Sequence, residues 1–593
     1  MKYSDVFMDW LKEEGYTHCF FVGGGNVMHL LESASKRFTC IPVVHEVAGG
    51  IAAEYFNEVT LSDKRAFVMV TAGPGITNLV TAVGGAWLEN RELLIIGGQA
   101  KRSDLSRGRV RQTGHQEIDG VGILKPITKA SVLADRQLSE AEVKSLCKLT
   151  KTGKRGPVFI EMCIDVTAEP FQDGLESKIE SQEDEPLTST QDVKEIIQIL
   201  RDAKRPLLLI GGGVSRDTMA KLLPTLASMQ IPIATTFNGA DRVGSDFKYY
   251  CGRPNWYGMR WANILLQQCD VLIALGTRLG IQQTGFQWNE FAPVAKIVQV
   301  EIDSAELSKG FPELDLAVRG DANLILSKIL QDQTWINSDV WSEWHQHILR
   351  VRKLLENVDS ANIASESYIE LQSFLFDLST YTNEDDIVIP CSSGGSYTGM
   401  MQMFRNKTGQ MMVTDKSLAS MGYGLSGAIG ASLAYPEKRT ILVEGDGGFA
   451  QNLQELGTAS NLGLNLKILI AENQGYASIR TTQKAYFNGN YVGCDAKTGL
   501  GMPDWTKLFA AYGIEVMSMD QSNLFSDEFR RGMEKPGLFA CIVRLDPDQL
   551  YFPKLTSKVL PSGQMASSAL HEMSPKLPEE IANHVFKWIK VDN

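Results

Sequence analysis

The chain has 593 residues, of which 44% are hydrophobic and 22% charged, and it carries a formal net charge of −12. The length predicts about three domains, and the composition is ordinary for a soluble globular protein. The negative charge argues against nucleic acids and anionic membranes as partners, because both require a basic face.

The sequence shows no pattern for export or for membrane insertion. Its first residues carry acids and lack the apolar core of a signal peptide, and no window has the apolar run that a membrane helix needs. The nine cysteines are scattered singly, without a CxxC pair. We therefore expect reduced, buried thiols in a cytoplasmic protein that acts on small molecules.

The first segment, residues 1–172, alternates apolar strands with helical patterns, as α/β domains do. Its predicted strands include Cys19–Val22, Ala66–Val70 and Leu93–Ile96. Between the first two, an apolar run ends at Glu46 and a helix rich in small residues follows. Glu46 taken alone would be read as a helix-start residue that the helix dipole stabilises.

The remaining segments follow a similar alternation. An acidic stretch, residues 173–186, is predicted to be an exposed linker. The central segment, 187–335, has predicted strands at Pro206–Ile210, Ile231–Ala234, Val271–Ala274 and Lys296–Ile302. A Trp-rich helical stretch, Trp335–Leu355, leads to the third segment, 362–547, and a Pro-rich tail, 548–593, ends in a predicted helix at Glu579–Ile589.

The third segment carries the most informative pattern. An apolar strand, Thr440–Val443, leads into Gly445-Asp446-Gly447-Gly448, and a second strand, Leu466–Ala471, is followed by Glu472-Asn473. A right-handed crossover between parallel strands brings Asp446 and Asn473 to one carboxyl edge, where α/β proteins bind ligands. A carboxylate and an amide oxygen, together with diphosphate oxygens, suit Mg²⁺. The alternative is an ordinary strand–helix–strand unit with a Gly-rich turn.

This pattern resembles the fingerprint of thiamine diphosphate enzymes, in which GDG is followed about two dozen residues later by Asn. The resemblance implies Mg²⁺ ligands at Asp446, Asn473 and the backbone carbonyl of Gly475, although Glu472 stands where the family often has a first Asn. It also implies a glutamate that hydrogen-bonds the cofactor's pyrimidine and favours its proton-accepting tautomer. Glu46 stands at that position.

Further segments resemble acetohydroxyacid synthases over nearly the whole chain, among them Thr71–Asn78, Leu275–Arg278 and Met421–Gly424. The resemblance implies three doubly wound parallel-sheet domains with a C-terminal tail: a pyrimidine-binding domain, a central Rossmann-like domain and a diphosphate-binding domain. The implied catalytic positions are Glu46, Gln116 and His115. The implied cofactor-binding positions are Gly24, Gly25, Asn78, Gly394, Gly395, Ser396, Ala419, Met421, Gly445, Asp446, Gly447, Gly448, Asn473, Gly475 and Tyr476.

The family places its pyrimidine-binding and diphosphate-binding domains on different subunits at each site. The resemblance therefore implies a homodimer or homotetramer with active sites at the dimer interface. FAD remains open: the Gly-rich segment at Leu209–Val214 is typical either of a nucleotide site or of a vestigial fold in which glycines only close turns.

The departures from that family concern the substrate acceptor. Gln282 stands where the family has an Arg that contacts the acceptor's carboxylate, and a neutral amide cannot replace that charge. Thr482 replaces a Trp, and His115 replaces a Phe. We expect a carboligase that transfers the acetyl unit of pyruvate to a carbonyl acceptor, with a ketosugar nucleotide as the candidate. The alternatives are an acetolactate synthase and a flavin-linked 2-ketoacid oxidase or decarboxylase.

A non-catalytic paralogue is the rival hypothesis from another class. Such a copy would be expected to lose Glu46, Asp446 or Asn473, and all three are present.

Overall fold

The computed structural model describes residues 1–60, 64–177, 189–390, 394–559 and 565–589. Much of the predicted linker, from residue 178 onward, lies outside these ranges, as does Cys391. The eight cysteines within them are free, and all are buried except the partly exposed Cys40. No helix in the described ranges is long and apolar enough to cross a membrane.

The first domain is a six-stranded parallel sheet with strand order β2-β1-β3-β4-β6-β5. The strands are β1 Tyr16–Phe21, β2 Thr39–Pro42, β3 Arg65–Val70, β4 Leu93–Gln99, β5 Ala130–Ala134 and β6 Pro157–Cys163. The helices are α1 Tyr3–Glu13, α2 Met28–Ala34, α3 Glu46–Thr60, α4 Pro74–Thr77, α5 Val80–Glu89, α6 Gly120–Leu124, α7 Glu140–Leu149 and α8 Ile164–Ala168.

The central domain is a five-stranded parallel sheet with strand order β11-β10-β9-β7-β8. The strands are β7 Pro206–Ile210, β8 Ile233–Thr235, β9 Val271–Leu275, β10 Lys296–Glu301 and β11 Leu316–Arg319. The helices are α9 Thr190–Arg201, α10 Arg216–Ser228, α11 Arg260–Gln268, α12 Ile281–Thr284, α13 Ser304–Leu307, α14 Ala322–Gln331 and α15 Ser342–Leu355.

The third domain repeats the strand order of the first, as β13-β12-β14-β15-β17-β16. The strands are β12 Ile387–Pro390, β13 Met411–Met412, β14 Thr440–Gly445, β15 Leu466–Glu472, β16 Glu515–Met519 and β17 Phe539–Arg544. The helices are α16 Leu371–Leu378, α17 Gly394–Met403, α18 Tyr423–Ala434, α19 Asp446–Phe449, α20 Leu456–Leu462, α21 Ala477–Tyr486, α22 Trp505–Ala511 and α23 Asp527–Glu534. The predicted fold of three parallel α/β sheets is confirmed.

The order of the third sheet determines where its ligand site lies. From β12 the chain moves outward to β13 and then returns to β14 on the other side, so the winding reverses between β12 and β14. Open α/β sheets bind ligands at the carboxyl ends of the strands beside such a reversal. The segments that follow β12, β14 and β15 contain Gly394, Asp446 and Asn473.

The first and third domains share one core through the packing of α3 against α18. All fifteen residues of α3 are buried, and one hydrophobic cluster contains buried residues from both domains. Glycines permit the close approach: a Cβ at Gly430 would lie 2.0 Å from the backbone oxygen of Ala52, and one at Gly427 would lie 2.7 Å from the Tyr55 ring. We call this contact the α3–α18 seam.

The tail crosses from the third domain to the central domain. It contains the antiparallel pair β18 Ser557–Val559 and β19 Met565–Ser567, then α24 Glu579–Val585. The predicted helix to Ile589 was too long, because the backbone nitrogens of Lys587 and Trp588 donate to the Gln268 side chain. The predicted helical stretch from Trp335 begins as a helix only at Ser342.

Candidate active site

Asp446 lies at the carboxyl end of β14, where it starts α19, and its side chain is almost fully buried. Its Oδ1 accepts from the backbone nitrogen of Gly447 at 2.8 Å, and its Oδ2 accepts from that of Gly475 at 2.9 Å. Burial raises the pKa of Asp446 to about 7. A bound cation would favour the charged carboxylate, because an opposite charge offsets the cost of burial.

Asn473 follows β15 and directs one atom of its side-chain amide at two oxygens. That atom lies 2.9 Å from the Gly475 carbonyl oxygen and 3.3 Å from Asp446 Oδ1. With its nitrogen inward the amide donates to both; with its oxygen inward, three oxygens converge without a donor. The second arrangement is a partial Mg²⁺ shell, which the ion completes with phosphate oxygens and water. We call Asp446, Asn473 and the Gly475 carbonyl the oxygen cluster.

The oxygen cluster contains a single carboxylate. Consistent with this, no group of three His, Cys, Asp or Glu residues capable of holding a metal occurs in the described part of the chain. Mg²⁺ typically uses one or two protein carboxylates and takes its remaining ligands from substrate phosphates and water. The donor set therefore fits an ion that binds together with a diphosphate.

The loop after β15 is held in shape by Gly475 and Arg480. Gly475 has φ of +117°, and a Cβ there would lie 2.6 Å from the Cys494 carbonyl oxygen. The buried Arg480 guanidinium donates to the carbonyl oxygens of Asn473 at 2.5 Å and of Pro547 at 3.1 Å. The Arg480 side chain thus links the loop of the oxygen cluster to Pro547, the last residue before the tail.

Buried polar atoms without partners surround the oxygen cluster. Ser396 is in the first turn of α17, only 4% of its surface is exposed, and its Oγ makes no hydrogen bond in the described structure. The Tyr551 hydroxyl is likewise buried; it makes no hydrogen bond of ordinary geometry in the described structure, although the side chain of Asn473 lies within hydrogen-bonding reach. Burial raises the pKa of Tyr551 to about 12, with Asn473 and Asp446 among the groups that act on it. Unsatisfied buried polar groups are rare and indicate a missing partner.

The predicted cofactor-binding segment with Ala419 and Met421 lies against the turn that follows Asp446. Ala419 has a left-handed backbone with φ of 52°. The backbone nitrogen of Gly422 donates to the Gly448 carbonyl oxygen, and Gln451 contacts the Met421 sulfur at 3.8 Å. Gly447 approaches the ring of Tyr476, which would lie 2.4 Å from a Cβ at that position. These predicted positions thus form one surface of the third domain.

Glu46 starts α3 at the carboxyl edge of the first sheet and is 8% exposed. Its Oε2 accepts from Asn78 Nδ2 at 2.9 Å. The two preceding residues, Val44 and His45, donate their backbone nitrogens to the buried carboxylate of Glu455 at 3.1 and 3.0 Å. The loop that presents Glu46 is therefore fixed by the third domain of the same chain.

The other first-domain positions lie together on neighbouring loops. The backbone oxygen of Gln116, whose φ is 56°, would be 2.7 Å from a Cβ at Gly73. Gly24 lies against Thr71, and the exposed His115 accepts through its backbone oxygen from Asn26 at 3.4 Å. Gly25 has no neighbouring atom within 4 Å of where its Cβ would be. Gly24 and Gln116 thus both lie beside the segment that starts at Thr71.

Within the described part of one chain, no hydrogen bond or ion pair joins Glu46 or Asn78 to the oxygen cluster. The two predicted acceptor residues, Gln282 and Thr482, also lie in different surroundings. Gln282 lines a cavity of about 960 Å³ between the three domains, which we call the central cavity; its walls include Glu89 of the first domain and Lys416 of the third. Thr482 is instead exposed on α21, where its hydroxyl donates to the Ser478 carbonyl oxygen at 3.0 Å. The structure thus places the predicted residues on all three domains, and within the described ranges no hydrogen bond joins the first-domain residues to the oxygen cluster.

Sequence reasoning did not identify Glu455, Arg480 or Tyr551 as parts of the site. Each acts on a residue distant in the chain; Glu455 and His45, for example, are 410 positions apart. None belongs to a local motif whose spacing would reveal the contact. The apolar run that ends at Glu46 was a signal for that residue, but not for its support from another domain.

Comparisons with known proteins match all three domains. The family of thiamine pyrophosphate enzymes matches through its N-terminal TPP binding domain over residues 1–123, its central domain over 193–329 and its C-terminal TPP binding domain over 393–543. The acetolactate synthase isozyme 2 large subunit of Escherichia coli is 27% identical over 575 residues, covering 95% of this chain and 98% of that protein.

Two further relatives are similar at the same level. The isozyme 1 large subunit of the same bacterium is 26% identical over 562 residues, covering 93% of this chain and 95% of that protein. A probable acetolactate synthase large subunit of Methanococcus aeolicus is 28% identical over 527 residues, covering 85% of each chain. The similarity therefore extends across all three domains.

Proposed function

The chain belongs to the thiamine-diphosphate-dependent enzymes that resemble acetolactate synthase and form carbon–carbon bonds; from this we propose that it decarboxylates pyruvate and transfers the two-carbon acetyl unit to a carbonyl acceptor. When bound, thiamine diphosphate supplies the carbon nucleophile that this reaction needs. We further propose that the cofactor binds with Mg²⁺ at the oxygen cluster.

The oxygen cluster is the observation that carries this proposal. Three oxygens lie close together around Asp446, and no donor separates them when the Asn473 amide oxygen points inward. The unbonded Ser396 hydroxyl lies near: its Oγ would be 3.6 Å from a Cβ at Gly445. A cation and an anion bound together would satisfy both kinds of group, because the cation takes oxygens and the phosphate takes donors.

Glu46 would hold the pyrimidine end of the cofactor. Its carboxylate is buried at a helix start and is oriented by Asn78, so it can exchange a proton with a ring nitrogen without large movement. Because no hydrogen bond joins the loop with Glu46 to the oxygen cluster among the described residues of one chain, a second copy would complete each site. This supports the proposed homodimer or homotetramer with active sites at the interface.

The neutral side chain of Gln282 favours an acceptor that has no carboxylate in need of a positively charged partner. Its side chain is half-buried and lines the central cavity, and its backbone oxygen accepts from the Trp256 backbone nitrogen at 3.0 Å. A neutral amide can hydrogen-bond a sugar hydroxyl or carbonyl but gives no ion pair with a 2-ketoacid. A ketosugar nucleotide is therefore the proposed acceptor, and pyruvate itself, as in an acetolactate synthase, is the alternative.

The central cavity is also the proposed site for FAD, whose redox use would instead make a 2-ketoacid oxidase. Its volume of about 960 Å³ suits a large ligand. Arg278, Lys309 and Lys154 line it and would favour phosphates. The glycines have a second explanation, however, because Gly213 donates its backbone nitrogen to the Gly276 carbonyl oxygen at 3.0 Å and thus closes a turn.

The test is pyruvate turnover with thiamine diphosphate and Mg²⁺, following CO₂ release and products, with and without a 4-ketosugar nucleotide. A slow basal rate that rises sharply with the ketosugar would support the proposed acceptor. Acetolactate formed at full rate from pyruvate alone would overturn it in favour of acetolactate synthesis. Absence of CO₂ in both reactions would show that pyruvate is not the donor, and a flavin absorbance band in the purified protein would support FAD.

A further inference from the structure

Tyr551, in the tail just after the third domain, reaches the predicted diphosphate-binding turn. Its ring atom Cε2 would lie 2.5 Å from a Cβ at Gly395, the second residue of α17. A side chain at position 395 would therefore overlap the ring. The tail thus places an aromatic residue in the space that Gly395 leaves beside Ser396.

The segment around Tyr551 is held rigidly. Asn362 pairs with the backbone of Phe552 in both directions, at 2.8 and 2.9 Å, and Gln402 donates to the Pro553 carbonyl oxygen at 2.8 Å. Arg480 additionally joins Pro547 to the loop of Asn473. These bonds hold the backbone on both sides of Tyr551. The fold therefore sets the position of its ring.

In this rigid setting the side chain of Asn473 is the neighbour that can hydrogen-bond the hydroxyl of Tyr551. The hydroxyl is inaccessible to solvent and makes no hydrogen bond of ordinary geometry within the described structure. When the Asn473 oxygen points inward, its amide nitrogen can only donate to the Tyr551 oxygen, which leaves the phenolic proton without an acceptor. A buried hydroxyl whose proton has no acceptor destabilises the fold, so such a group is retained where a ligand completes it. Mg²⁺ would engage the inward oxygens of Asp446 and Asn473, which leaves an anion as the natural acceptor for the phenol.

We propose that Tyr551 is a cofactor-binding residue whose phenolic hydroxyl donates a hydrogen bond to an oxygen of the diphosphate held at the oxygen cluster. This inference rests on the proposed Mg²⁺–diphosphate site and adds the tail to it. Ser396 supplies the second unpartnered hydroxyl on the same side. The tail then contributes directly to cofactor affinity in addition to covering the domain.

The experiment is calorimetric binding of thiamine diphosphate with Mg²⁺ to the full chain and to Tyr551→Phe. A lost hydrogen bond to a charged group should weaken binding by roughly ten-fold or more. Magnesium pyrophosphate alone, which carries only the diphosphate, should lose affinity by a similar factor. Gly395→Ala, which pushes the ring without removing the hydroxyl, should weaken both ligands as well.

Tyr381→Phe is the matched control. Tyr381 stacks on Phe525 with ring centroids 4.5 Å apart, and it precedes β12, so it lies toward the amino ends of the strands and away from the oxygen cluster at their carboxyl ends. Its affinity should equal that of the unmodified chain. Unchanged affinity of a folded Tyr551→Phe for both ligands would overturn the role of Tyr551 alone. Absence of binding to the unmodified chain would instead overturn the proposed function, and the role of Tyr551 with it.

Discussion

Gly430→Ala tests whether the α3–α18 seam sets both stability and catalysis. The new Cβ would lie 2.0 Å from the Ala52 backbone oxygen, which cannot rotate away. The seam must open by roughly 1.4 Å to restore an ordinary contact, and overpacking of this kind typically costs about 1–3 kcal/mol. The higher helix propensity of Ala returns at most about 1 kcal/mol. We expect a net loss of about 1–2 kcal/mol in the free energy of unfolding.

The same displacement should lower turnover, because each helix of the seam begins at or beside a predicted site residue. α3 begins at Glu46, and α18 begins two residues after Met421. A misplacement of about 1 Å can reduce a rate about 10²-fold. We therefore expect kcat of Gly430→Ala to fall by roughly ten- to one-hundred-fold.

The assays are thermal unfolding followed by tryptophan fluorescence and steady-state turnover of pyruvate. Gly457→Ala is the control: it is also a helical glycine of the third domain, but its Cβ would be 3.4 Å from the Tyr512 ring, an ordinary contact. The control should be as stable as the unmodified chain or slightly more stable. If Gly430→Ala matched the control in both assays, the seam would not be the rigid contact described.

Four other substitutions test separate parts of the structure. Glu46→Gln should keep cofactor affinity but lower turnover by about 10²–10⁴-fold, the usual contribution of proton transfer; unchanged rates would remove Glu46 from the mechanism. Asp446→Ala should abolish Mg²⁺-dependent binding of thiamine diphosphate in calorimetry, and retained affinity would exclude it from the metal site. Gln282→Arg should raise the rate with a 2-ketoacid acceptor, and no change would end the argument on acceptor choice. Burial raises the pKa of Glu161 to about 8, so the folded state binds more protons than the unfolded state between about pH 5 and 8 and loses stability as pH rises through that range. Glu161→Gln should flatten this decline, measured as unfolding midpoints at both ends of the range, and an unaltered slope would count against it.

The buried strands could be predicted because parallel strands covered on both faces are continuous apolar runs. The predicted strand Pro206–Ile210 is confirmed at both ends. The predicted strand Thr440–Val443 begins where expected and continues to Gly445. The placement of Asp446 and Asn473 on one edge followed from the crossover and is confirmed by their contact through Gly475. Here local pattern and global fold agree.

The supports of the site could not be predicted in the same way. Glu455, Arg480 and Tyr551 depend on how whole domains pack, and a single sequence gives no spacing for such contacts. The helix ending at Val585 shows the same limit on a smaller scale, because Gln268 of another domain ends it. Tertiary contacts overrode local propensity at these positions.

The bond between Glu455 and the loop of Glu46 has a consequence for biosynthesis. The two partners are 410 residues apart in the chain, and at about 5–20 residues per second the ribosome needs roughly 20–80 s to make that interval. During this time the first domain has been translated, but the face of α3 that later meets α18 remains uncovered. The nascent chain therefore exposes a helix that is buried along its whole length in the folded protein before the covering domain exists, so the α3–α18 seam is also a place where chaperone protection during synthesis would matter.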